Sequence, residues 1–250
     1  MKDNLIIVTT GSSGSSVLAG LIGAHGYYLG DETMKLSFDT YENSRLVELN
    51  MALFKMIGFE RGDANDMPPP DTDALAALAP DTDIFERFVD ACLEKEPFLW
   101  KDPRLAYTLH FWQRFEPIRK AKFIFIRRDP VQSYAGLILS RKTPMSMKEQ
   151  AQMNLNYALS FQRFVEKHAP MVYECLFEDL ILEPGTFLTG LNEYLGCRIT
   201  MDDLRGIYHG RLHRLRYSKW DVAKARVMYL LYRYVKRDFV TFPRGNSPKD

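Results

Sequence analysis

The chain is poor in cysteine, with Cys92, Cys175 and Cys197 scattered over 250 residues and no paired metal-ligand spacing among them. This excludes a disulfide-stapled secreted scaffold and points to a reducing, cytoplasmic setting. Long apolar runs are also missing. None approaches the roughly 20 residues that a membrane span requires, and the first apolar stretch, Leu5–Val8, is too short and begins too early for a signal peptide. Charge of one sign is not in excess, since 33 basic residues face 32 acidic ones for a net +1. There is no general pull toward nucleic acid or an anionic membrane, so any polyanion site must be local. The histidines, His25, His110, His168, His209 and His213, show no metal or catalytic spacing, and no metal is expected. What remains, 46% apolar and 26% charged, suits one large or two small globular domains.

Leu5-Ile6-Ile7-Val8 is a short, unbroken apolar run, the pattern of a strand covered on both faces of a parallel sheet. A turn-forming stretch, Thr9–Ser16, follows, and helical spacing begins at Val17. Asn43–Ile57 places Leu46, Leu49, Asn50, Leu53 and Phe54 on one helical stripe, with Asn43 or Ser44 as cap. From 59 to 83, Pro68-Pro69-Pro70 and a repeated Pro-Asp-Thr-Asp predict a surface excursion, not a domain linker. Further on, helices are predicted at Phe85–Leu93, Leu105–Phe115, Val131–Leu139, Lys148–Lys167, Pro184–Leu195 and Asp221–Phe239. They alternate with strands at Phe98–Trp100, Phe123–Ile126 and Met171–Leu176. Strands separated by helices predict an α/β fold with a parallel central sheet flanked by helices and right-handed crossovers.

The small residues of Thr9-Thr10-Gly11-Ser12-Ser13-Gly14-Ser15-Ser16 allow backbone N–H groups to converge on an anion at a helix N-terminus, where the helix dipole also favours negative charge. A nucleotide-kinase loop would place Lys after its last glycine. Here Gly14 is followed by Ser15, which argues against an ordinary P-loop ATPase or GTPase. A tight turn with a capping serine is the plainer alternative for this loop taken alone.

Five segments in order change that balance. Ser13-Gly14-Ser15-Ser16, Phe38–Asn43 leading into Leu46–Asn50, Trp100-Lys101-Asp102-Pro103-Arg104 with Trp112, Ile126-Arg127-Arg128-Asp129-Pro130, and Leu176-Phe177-Glu178-Asp179-Leu180 followed by Glu183-Pro184 run from Leu5 to about Gly196. Together they resemble the sulfotransferase family that uses 3′-phosphoadenosine 5′-phosphosulfate (PAPS), especially its bacterial-type and Golgi-type branches. The resemblance implies a P-loop nucleotide-binding architecture in a single domain over 1–250. It also implies transfer of a sulfuryl group to a hydroxyl or amine of a small-molecule or glycan acceptor, with adenosine 3′,5′-bisphosphate released and no nucleic-acid partner.

By that resemblance Ser12, Ser13, Gly14, Ser15 and Ser16 hold the 5′-phosphosulfate, Arg128 pairs with the 3′-phosphate, and Phe177 is either an adenine contact or a core phenylalanine. Arg127 is a candidate to assist Arg128, although strand alternation aims it elsewhere. Two positions depart from the pattern. Ser12 stands where the family has a loop Lys or Arg, and Lys35, Lys101 and Arg104 are the candidates to supply that charge from another segment. Gly136 stands where the family has a serine, for which Ser133, one helical turn earlier, is the candidate substitute. A hydroxyl acceptor needs a base. Glu32 ranks first by its position, then Glu42, then Asp102. The basic segment Arg211–Lys219 is either a solvated loop or a closure over the 3′-phosphate. The alternatives for the whole chain are a non-catalytic nucleotide-binding module of the same fold and an atypical phosphotransferase.

Overall fold

The first five-residue strand, β1 (Leu5–Thr9), is buried along its whole length, as its unbroken apolar composition requires of a central parallel strand. The computed structural model describes residues 2–35, 38–59, 69–79, 83–143 and 145–234. After β1 come α1 (Ser15–Gly23), a hairpin of β2 (Thr33–Lys35) and β3 (Asp39–Asn43), α2 (Ser44–Met56), α3 (Thr72–Ala77) and α4 (Asp83–Leu93). Next are β4 (Leu99–Lys101), α5 (Leu105–Trp112), α6 (Glu116–Arg119), β5 (Lys122–Arg127), α7 (Pro130–Leu139) and α8 (Met147–His168). The chain continues through β6 (Val172–Leu176), α9 (Phe177–Leu182), α10 (Pro184–Leu195), α11 (Met201–Ile207) and α12 (Lys219–Tyr234).

Four strands form one parallel sheet in the order β4-β1-β5-β6, flanked by helices on both faces as expected. The chain leaves β1 for β4 on one side and then crosses to β5 on the other, so the order reverses at β1. In open α/β sheets, ligands sit at the carboxyl ends of the strands at such a point. Alternation sorts the side chains. Ile6, Val8, Trp100, Phe123 and Phe125 enter one core with α2, α4, α5 and α8, whereas Leu5, Ile7, Leu99, Ile124 and Ile126 enter the other with α1, α9 and α10. The first core is aromatic. Trp100 packs on Phe88 at 5.3 Å, Phe98 at 5.1 Å and Trp112 at 5.1 Å between ring centroids, pairs worth about 0.5–1.5 kcal/mol each beyond area burial.

The stretch 59–83 lies partly outside the described residues. Its described part carries α3, which is capped by the Asp71 side chain and buries Leu75 in the first core. The Pro-Asp-rich texture thus contains a docked helical turn that composition did not reveal. Asn43 caps α2 as predicted, accepting from Arg45 N at 2.9 Å and Leu46 N at 3.2 Å. The predicted tail helix is observed as α12, with Ala225 buried against Tyr134, Ala135 and Ile138 of α7; positions 235–239 of that prediction lie outside the described residues. The β2–β3 hairpin, α9 and α11 were not predicted. No helix among the described residues is long and apolar enough to cross a membrane.

Candidate active site

A cleft of about 2500 Å³ opens over the carboxyl ends of β1, β4 and β5. Its floor is the loop after β1. Thr9 ends the strand with its hydroxyl bonded to that of Ser13, and Gly11 N donates to Thr9 Oγ1 at 3.3 Å. The backbone then takes positive φ at Gly11 (75°), Ser12 (49°) and Gly14 (79°). Gly14 is the N-cap of α1 and offers no side chain to the first turn; Val17 N and Leu18 N donate to Gly14 O at 3.0 and 3.4 Å, and no side chain caps the N–H groups of Ser15 and Ser16. Gly14 is also pressed against Phe177, so an added Cβ would run into the ring. Gly14→Ala is expected to lose about 1–3 kcal/mol to backbone strain alone, plus the clash. The measurement is a lower denaturant midpoint at unchanged slope.

Two cations approach this loop from neighbouring strands. Lys101 stands opposite Ile7 at the end of β4, on the sheet face that carries α1. Only 3% of it is exposed, and its Nζ donates to Ser16 Oγ at 3.3 Å, Thr40 O at 3.1 Å and Glu42 Oε1 at 2.6 Å. Burial lowers its pKa from the ordinary lysine value, and the Glu42 carboxylate acts in the opposite direction. Arg128 follows β5 on the same face, with its guanidinium between the rings of Phe177 at 5.3 Å and Tyr217 at 5.7 Å. Nη1 donates to Ser12 O at 3.3 Å, and Glu178 Oε1 lies 3.4 Å from Nε without hydrogen-bond alignment. Nε and Nη2 therefore have no hydrogen-bond acceptor in the protein although both are buried. Buried guanidinium donors without an aligned acceptor are able to serve an anionic group that enters the cleft. Arg127, as alternation predicted, turns away to Glu174 at 3.2 Å.

The structure brings Ser12, Ser13, Gly14, Ser15, Ser16, Glu42, Lys101, Arg128, Gly136 and Phe177 to the cleft, but not Glu32 or Ser133. Glu32 precedes the hairpin with an exposed side chain, and only its backbone carbonyl is engaged, by Ser44 N at 3.0 Å. Glu42, inside the hairpin, takes the cleft position instead. Ser133 is fully buried and bonded to Gln150 of α8, because the face it shares with Gly136 curves into that helix contact. Of the candidate cations, Lys35 is exposed outside the cleft, and Arg104 lines it while held by Asp102 at 2.9 Å. Asp102 itself is fully buried and receives Asn50 Nδ2 at 2.8 Å, which makes it a support for Arg104. Among the described residues no group of His, Cys, Asp and Glu could hold a metal ion.

Three participants escaped sequence reasoning. Tyr217 fills the space beside Gly136: a Cβ there would stand 3.4 Å from the Tyr217 ring and 3.4 Å from Arg128 Nη1. Its hydroxyl bonds Ser140 Oγ at 2.8 Å. Gln132 clamps the Tyr217 backbone, donating to its carbonyl at 2.8 Å and accepting from its N–H at 3.0 Å, which seats the basic segment Arg211–Lys219 at the cleft. Glu178 also accepts from Asp129 N at 2.8 Å and so orients the start of α7. Glu178 lay within a quoted motif, but the Gln132–Tyr217 contact spans 85 residues and has no local signal.

Among solved structures, the chain is similar to the sulfotransferase domain from the curacin biosynthetic pathway, at 17% identity over 89% of this chain and 83% of that one, with a TM-score of 0.52. The chain has the sulfotransferase fold. A sulfotransferase from Alicyclobacillus acidocaldarius matches at 14% identity over 92% and 95% of the two chains (TM-score 0.47). The sulfotransferase domain of the Synechococcus PCC 7002 olefin synthase matches at 20% over 97% and 90% (TM-score 0.44). No protein-family model and no curated protein matches the sequence. Within the sulfotransferase fold, the loop after β1, the end of β4 and the end of β5 are the parts that converge on the cleft described above.

Proposed function

We propose that this protein is a PAPS-dependent sulfotransferase acting on a hydroxyl or amine acceptor. The observation that carries this reading is the buried Lys101 ammonium on Ser16, which returns to the loop the positive charge that Ser12 does not provide. The other residues fit such a nucleotide. The first turn of α1, which no side chain caps, and the hydroxyls of Ser12, Ser15 and Ser16 suit the 5′ end, and the buried donors of Arg128 suit the 3′-phosphate; Phe177, only 2% exposed in the core with α1, α9 and α10, backs Gly14 and Arg128 and is no platform for the base. When bound, PAPS supplies the sulfuryl group: the acceptor oxygen or nitrogen forms a bond to sulfur, the sulfur–oxygen bond to the 5′-phosphate breaks with its electron pair on the phosphate oxygen, and the acceptor proton leaves to a base. Glu42 is that base, held at the cleft wall by its bond to Lys101. Lys101 and the loop donors stabilise the charge that grows at the 5′ end, the preorganised arrangement that group transfer depends on most. Three free cysteines fit a cytoplasmic setting.

Calorimetry tests the nucleotide class. Adenosine 3′,5′-bisphosphate is expected to bind at least tenfold tighter than ADP, because only the former presents a phosphate to Arg128. Tighter binding of ADP would reject the assignment in favour of a phosphotransferase.

A further inference from the structure

The Lys101–Glu42 pair joins two unlike stretches of the cleft wall. Toward Ser16 the lining is small and polar. Toward the hairpin and α2 it is apolar, with Met34 37%, Phe38 51% and Met51 48% exposed, all facing the cleft. The same cleft carries a continuous row of rings: Phe59 lies 5.2 Å from Phe54, Phe54 lies 6.3 Å from Tyr107, and Tyr107 lies 4.9 Å from Tyr157. All four rings line the cleft. Water-facing apolar side chains that line a concavity are the surface an apolar ligand removes from water, and methionines adapt their shape to it. A sugar would need convergent hydrogen-bonding groups, whereas two of the polar neighbours here are already bonded within the protein. Arg104 is held by Asp102, and Gln152 donates to Asn156 at 3.0 Å. The cations Lys55, Arg141 and Lys148 also line the cleft on long stems, and an anionic acceptor is the rival they raise.

We infer that the acceptor is a neutral alcohol or phenol with an apolar body, which lies on Met34, Phe38, Met51 and the half-buried rings of Phe54, Phe59 and Tyr157 with its hydroxyl toward Glu42. The role of the hydroxyl rests on the sulfotransferase reading, whereas recognition of the body does not.

The test uses the full chain and 4-methylumbelliferone as a fluorescent probe, displaced by 1-alkanols from butanol to octanol. Affinity is expected to rise about fourfold per added methylene, the gain for burying one such group. Glucose and trehalose are expected not to compete. Met51→Asp and Phe38→Asp, both at exposed positions, are expected to weaken alkanol binding at least tenfold and to leave binding of adenosine 3′,5′-bisphosphate unchanged. A flat alkanol series, no probe binding, stronger competition by the sugars, or stronger competition by hexanoate than by hexanol would each overturn the inference. A steep series in a protein that does not bind the bisphosphate would reject the transfer reading and leave the apolar ligand class standing.

Discussion

Lys101→Met is expected to slow single-turnover sulfuryl transfer by about 10²–10³, the usual loss when one preorganised donor at a developing charge is removed. Binding of the bisphosphate should change far less. The expectation follows from burial and position. Lys101 touches the α1 end of the loop at Ser16, whereas Arg128 meets it at Ser12 O, and Ser12 brings no charge of its own. Its removal also leaves Glu42 without its ion partner, so the denaturant midpoint of Lys101→Met is compared with that of Lys101→Met/Glu42→Gln to detect lost fold, while the rate is read on the single variant because Glu42 is the proposed base. Lys101→Arg keeps the charge and should restore part of the rate. The pH dependence has a definite sign. Burial lowers the Lys101 pKa, and the protonated form is the one required, so the rate falls as pH rises through a value below that of an exposed lysine. In Lys101→Arg this alkaline limb moves upward. A rate for Lys101→Met within about threefold of the parent protein would remove Lys101 from the mechanism.

The second large effect is at the other end of the cleft. Arg128→Met is expected to weaken adenosine 3′,5′-bisphosphate about 10- to 150-fold, corresponding to about 1.5–3 kcal/mol for a hydrogen bond to a charged group. Adenosine 5′-monophosphate, which has no 3′-phosphate, should bind the variant and the parent alike. Glu178 would be left buried without its counter-ion, and Arg128→Met/Glu178→Gln removes that complication. Equal losses for the two nucleotides in calorimetry would mean that Arg128 supports the loop through Ser12 O and does not read the 3′ end.

The parts of this site that lie on one strand were legible in the sequence. Unbroken apolar runs marked β1 and β5, and period-two alternation beyond β5 separated Arg128 from Arg127. Contacts between elements were not. The choice of Lys101 over Lys35 and Arg104 depends on the register of β4 against β1, which sets Lys101 beside Ile7. Glu32 ranked ahead of Glu42 because position along the chain was the only guide, and a hairpin of three- and five-residue strands leaves too short a pattern to recognise. Ser133 shares a helix face with Gly136, as its spacing predicts, but spacing says nothing of the Gln150 that occupies that face. The helices α3, α9 and α11 span six, six and seven residues, below the length at which periodicity separates a helix from a turn.

The amide clamp between Gln132 and the Tyr217 backbone also has a meaning for the order in which the molecule is completed. All four strands of the main sheet are present by Leu176, yet the ring beside Arg128 arrives forty-one positions later and is fastened by a side chain from the middle of the chain. A nascent chain can therefore finish its sheet well before the surroundings of Arg128.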